Sequence, residues 1–146
     1  MGGYGALKLA FRHPSRYLAA VAVAPAVFPG ITTADVPPRN RMSVLGELLE
    51  AIDRSPGDAI GRRLGQNVEA IRAVGPALFL GVGDHDEFHL QDGAEHLHRV
   101  LWELGVSHEY LVRRNGTHMG AGSEALQRAA HAFLADALRA PPTAPG

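Results

Sequence analysis

A chain of 146 residues that is 46% hydrophobic and 20% charged has the size and composition of one globular domain with a sizeable core. A formal charge of -1 and a pI near 6.7 point away from nucleic acid and from anionic membrane surfaces, and the lack of cysteine excludes disulfides, thiolate catalysis and cysteine-ligated zinc. No apolar run approaches the ~18 residues of a membrane span, so no membrane partner is expected.

In chain order, Gly3 to His13 reads as a helix with Leu7, Ala10 and Phe11 on one face, stopped by Pro14. Leu18 to Ala24 is a continuous apolar run of strand length, the pattern of a strand inside a parallel sheet. Phe28 to Asn40, with Pro29, Pro37 and Pro38, reads as loop. Met42 to Ile52 is amphipathic and helical, and Asp58 to Leu64 and Asn67 to Val74 read as two short helices; the block from about 30 to 74 is expected to be a lid-like insertion or crossover. Ala77 to Val82 is a second buried strand. Gln91 to Leu104 is a helix with Ala94, Leu97, Leu101 and Leu104 inward, ended by Gly105. Glu109 to Val112 is a third strand, and Ser123 is placed to cap a last helix running to Leu138. Residues 140–146, APPTAPG, read as a disordered tail after a domain spanning 1–139. Strands alternating with helices predict an α/β fold with a mainly parallel sheet.

The chemistry gathers between Ala77 and His118. Asp84 and Asp86 directly follow the strand ALFLGV, and sites in open α/β sheets form at the carboxyl ends of strands. His118 sits in RRNGTHMG, after the strand EYLV, where Asn115 and Gly116 favour a tight turn. A carboxylate that takes the Nδ1 proton of a histidine fixes its tautomer, so an acid and a histidine at the ends of neighbouring strands are two of the three parts of an acyl-transfer apparatus. By itself, either aspartate is better explained as a turn or solvent-bound residue, and a lone loop histidine as a solvated one; the pair in this order shifts the balance. The nucleophile is missing: no G-x-S-x-G occurs, and Ser15, Ser43, Ser55, Ser107 and Ser123 all lack that frame.

Three segments carry a resemblance. MGGYGALKLAFRHPSRYLAAVAVAPAVF resembles the stretch just after the catalytic serine in the esterase D group of the α/β-hydrolase fold, a group that includes S-formylglutathione hydrolases, feruloyl esterases and mycolyltransferase-like proteins. GVGDHDEF and GVSHEYLVRRNGTH resemble its acid and histidine segments, in the same order. The resemblance implies the C-terminal part of an α/β-hydrolase sheet acting on small ester or thioester substrates without a cofactor. It implies Asp86 as the acid, in the G-x-x-D frame of Gly83 to Asp86, with Asp84 as the alternative. His118 is then the base, and the backbone N–H of Met1 an oxyanion-hole donor. The serine would be the residue before Met1. The expectation is therefore a truncated chain, inactive alone, whose complete form is a serine esterase or an acyltransferase of the same fold. The competing expectation is a non-catalytic α/β module that self-associates through an exposed sheet edge; a flavodoxin-like domain is disfavoured for want of a phosphate-binding loop. MGGYGALKLAFRHP is not a signal peptide; location is left open, with the cytoplasm slightly favoured, because any export signal would lie upstream.

Other candidates read as structural. His85, His89, His96 and His98 lack the mutually facing spacing of a zinc set, so no metal is expected. Trp102 is expected to pack against the sheet. Arg39 and Arg41 flank the insertion, with contact to an anionic acyl or leaving group as the lesser alternative.

Overall fold

The computed structural model describes residues 2–28, 34, 36–41 and 60–139. The helix expected at Met42 to Ile52, the tail at 140–146 and Met1 lie outside the described residues.

Helix α1, Gly2–Arg12, buries Leu7, Ala10 and Phe11, the three residues that its periodicity aligns. Pro14 ends it and opens a 3-10 turn over Pro14–Arg16, since proline suits a first helical position where no N–H is needed. Strand β1 covers Ala19–Val23. A four-residue turn, α2, follows at Pro38–Arg41 within the stretch expected to be loop. Helix α3 runs unbroken over Ile60–Val74 where two short helices were expected. The reason is its stripe: Ile60, Leu64 and Ile71 enter the main core, with Val68 packed against it. That packing overrides the weak helix propensity of Gly65, whose missing side chain would face open space.

Strand β2, Ala77–Gly83, is followed by helix α4, Leu90–Glu103, strand β3, Glu109–Arg113, and helix α5, Ser123–Arg139. Gly105 adopts φ +66 just past α4, as its position predicts. Ser123 is the first residue of α5 and not its cap: its hydroxyl donates to the Gly120 carbonyl, while the Gly122 carbonyl accepts the first helical bond from the Leu126 N–H.

The sheet is parallel in the order β1-β2-β3, with Val23 opposite Gly81 and Gly83 opposite Arg113. β2 is central and buried over six of its seven residues, which explains its uninterrupted apolar run. β1, whose apolar run suits a buried strand, lies at an edge of the described sheet, as the competing expectation of an exposed edge has it; its burial alternates, with Ala20 and Ala22 buried and Val21 half-buried. Helices α1, α3 and α4 cover one face through a core that joins Phe11, Leu64, Leu78, Leu80, Leu97 and Leu101. Helix α5 covers the other, where Phe133 meets Phe79 at 5.5 Å between ring centroids. A smaller cluster at the carboxyl edge joins Ala24, Ala26, Phe28, Val36 and Leu90, and Tyr4 of α1 and Phe88 pack against it.

Candidate functional site at the carboxyl edge of the sheet

Because all three strands are parallel, their following loops gather at one edge, and the acid and histidine loops leave from adjacent strands. Gly83 and Gly116 make that convergence close. A Cβ on Gly83 would stand 2.2 Å from the Gly116 carbonyl oxygen, so only glycine lets the two backbones touch. The crossing is bonded three times: the Asp84 N–H donates to the Arg113 carbonyl, the His85 N–H to the Gly116 carbonyl, and the Gly116 N–H to Asp84 Oδ1. Asp84 therefore fastens the histidine loop to the acid loop.

Asp86 is the residue that meets His118. Its side chain is fully buried, and Oδ2 lies 2.8 Å from His118 Nδ1. Oδ1 accepts the Phe88 N–H at 2.9 Å. A buried carboxylate needs donors for both oxygens, and here each has one. The imidazole is partly exposed, and Nε2 has no hydrogen-bond partner among the described residues. Two further contacts fix the ring: Phe88 packs edge-on at 4.9 Å between centroids, and the His118 backbone N–H donates to Glu87 Oε2 at 2.8 Å. That N–H holds the Glu87 carboxyl below its ordinary value.

Sequence reasoning missed the supports of this pair. Asn40, 1% exposed, donates its amide to the carbonyls of Phe88 and His89, pinning the turn that carries Asp86. Arg39 pairs with Asp92 in the first turn of α4, and Arg41 donates to the Val36 carbonyl. The two arginines that flank the insertion are thus engaged in holding the segment in place. No signal in PPRN distinguishes a buried asparagine from a loop one. The three described non-glycine residues with positive φ, Ala24, His89 and Asn115, all lie in segments beyond the strands' carboxyl ends. Of these, Ala24 is the one held against its intrinsic preference, since asparagine and histidine enter the left-handed region more readily.

The amino end of α1 reaches the same edge: a Cβ on Gly3 would contact the Val23 carbonyl and Pro25. Trp102, by contrast, is 75% exposed and does not pack on the sheet. Among the described residues no three histidine, aspartate or glutamate side chains are grouped to hold a metal.

Solved structures share this arrangement of elements. The chain superimposes on an S-formylglutathione hydrolase from Staphylococcus aureus over 94% of its own length, with a TM-score of 0.64 and 17% identity. The fold is a portion of the α/β-hydrolase fold. A ferulic acid esterase matches over 91% of this chain with a TM-score of 0.60 and 22% identity, and a protein from Bacteroides ovatus described as a candidate dipeptidyl aminopeptidase IV matches over 91% with a TM-score of 0.59 and 14% identity. No family model and no curated protein matches the sequence. The chain spans about half the length of the two esterases, 51% and 49%, and 18% of the third structure.

Proposed function

We propose that this chain is the acid- and base-bearing portion of a serine esterase or thioesterase, with Asp86 and His118 as two members of a Ser-His-Asp triad. The observation that carries the reading is the 2.8 Å contact between His118 Nδ1 and a fully buried Asp86 oxygen, with Nε2 left for a substrate-side proton. In the complete enzyme a serine hydroxyl gives its proton to His118 Nε2 as its oxygen attacks the ester carbonyl. His118 then returns the proton to the leaving group, and water repeats the sequence to release the acid. Asp86 stays ionised, holds the ring in the Nδ1–H tautomer and stabilises the imidazolium. Asp84 serves the loop crossing and not the ring.

The nucleophile in this reading is a serine immediately before Met1, at the strand-to-helix turn that leads into α1, with the Met1 N–H as one oxyanion donor. Two measurements test it. The coding sequence upstream of Met1 is expected to read in frame through G-x-S. The 146-residue chain is expected to leave p-nitrophenyl acetate unhydrolysed above background; turnover by this chain that His118→Ala abolishes would contradict the assignment of the nucleophile.

One observation favours a second reading, of a module that associates through its sheet. β1 pairs with β2 alone among the described strands and leaves Val21 and Val23 half-buried. An edge of that kind is a template for another strand.

A further inference from the structure

Strand β3 has one neighbour among the described strands, β2. The Asp84 N–H donates to the Arg113 carbonyl, so by the two-residue period of a strand the backbone groups of Glu109, Leu111 and Arg113 face β2. Those of Tyr110 and Val112 point away from the sheet. Both flanks of this edge are open. On the α4 side Val112, 45% exposed, and Trp102, 75% exposed, line a groove of about 650 Å³ with Tyr110, whose ring stacks on His98. On the α5 side Leu111 and Phe133 line a second groove of about 400 Å³. Bare backbone groups between apolar flanks suit an incoming strand.

Charge decides which strand that is. Charged side chains on an edge keep away a strand whose charges do not match, and EYLVR over Glu109–Arg113 carries opposite signs at its two ends. We propose that β3 is a docking edge for β3 of a second copy of this chain, the two strands antiparallel about a two-fold axis at Leu111. Each Glu109 then stands opposite Arg113 of the other copy and each Tyr110 opposite Val112, and the two Leu111 side chains meet at the axis. The hydrogen bonds fall in step with the charges. An antiparallel ladder alternates hydrogen-bonded and non-hydrogen-bonded pairs. Tyr110 and Val112, with outward N–H and C=O groups, take the bonded pairs. Glu109, Leu111 and Arg113, already bonded to β2, take the others, where opposing side chains come closest. A slip of register to either side sets Glu109 or Arg113 opposite Leu111, and a parallel pairing sets like charges side by side. Opposing residues share a face, so Tyr110 and Val112 of the second copy lie on the α4 side and cover Trp102.

Sedimentation velocity of the 146-residue chain is expected to show a monomer–dimer equilibrium. The emission of Trp102, the only tryptophan, should move to the blue as dimer forms. Glu109→Arg or Arg113→Glu sets like charges opposite each other at both ends of the pairing. Each variant alone should associate about tenfold more weakly than the unaltered chain. An equimolar mixture of the two restores both opposite-charge pairs and should associate about as tightly as the unaltered chain, which also shows that both variants fold. Hydrogen exchange in the dimer should slow at the Tyr110 and Val112 amides. A chain that stays monomeric throughout, a dimer indifferent to both reversals as association through β1 would be, or a mixture no tighter than either variant alone overturns the docking edge.

Discussion

Asp86 has two oxygens, and each has a donor of its own: the Phe88 N–H on Oδ1 and His118 Nδ1 on Oδ2. That division decides what an amide does in its place. In Asp86→Asn the single carbonyl oxygen must keep the Phe88 N–H, because an NH2 group there would set donor against donor. The NH2 then faces His118 Nδ1 and forces the proton to Nε2. In the complete enzyme this wrong tautomer is expected to lower kcat by a factor on the order of 10⁴. Glu87 behaves differently. Its carboxyl, lowered by the His118 N–H, favours the fold above its ordinary value of 4.5, and the benefit is lost as pH falls through the lower folded-state value. Urea unfolding across that acid limb is expected to show a shallower pH dependence in Glu87→Gln. Gly83→Ala presses a methyl group onto the Gly116 carbonyl and should cost about 1–3 kcal/mol in the same assay. At this scale the sequence was only half legible. Asp84 and Asp86 follow the same strand two residues apart, and the family frame, not periodicity, preferred Asp86. What separates them is a long-range bond from the Gly116 N–H to Asp84, which local pattern does not encode.

Elements were legible where their apolar period was strong. β2, α1 and α4 fall close to where their patterns put them, because each buries a face that its spacing exposes. α3 is one helix where two were expected on either side of Gly65 and Gln66, and Asn67 donates to the Phe11 carbonyl and ties α3 to α1. α2 was invisible because it is one turn long and gains its order from Asn40 bonding the turn before α4 and Arg39 bonding Asp92 in the first turn of α4. Asn40→Ala removes both amide bonds from the turn behind Asp86. It is expected to cost about 1–3 kcal/mol of stability, and amide exchange at residues 87–89 should quicken more than in the core of β2. Between α4 and β3, His98 couples folding to pH. Its folded value lies below the ordinary 6.5, so its contribution is present above that value and declines as pH falls through the lower one. His98→Gln should flatten stability against pH over that interval, as measured by thermal or urea unfolding.

The whole molecule is a three-stranded parallel sheet with helices on both faces, and its central strand is far better covered than its edges. Ala24 donates to the Gly81 carbonyl and Leu18 accepts from Ala77, so by the two-residue period of a strand the N–H groups of Ala20 and Ala22 face β2 while those of Val21 and Val23 point away. Hydrogen exchange in the 146-residue chain is expected to be slow at Ala20 and Ala22 and fast at Val21 and Val23. Protection at Val21 and Val23 that grows with concentration would instead signal pairing of copies through this edge. The α/β class was readable from the alternation of elements; the open edge at Leu18 to Ala24 follows from reading the chain as part of a larger sheet, since the all-apolar run alone fits a buried strand.

The hydrolase reading stands on the position of one proton. A long-range proton–nitrogen NMR spectrum of the histidines at neutral pH locates it directly. In the unaltered chain His118 is expected as the Nδ1–H tautomer, and in Asp86→Asn as the Nε2–H tautomer. A His118 that carries its proton on Nε2 from the start, or that is indifferent to Asp86→Asn, would contradict the pairing of acid and base on which the proposed function rests.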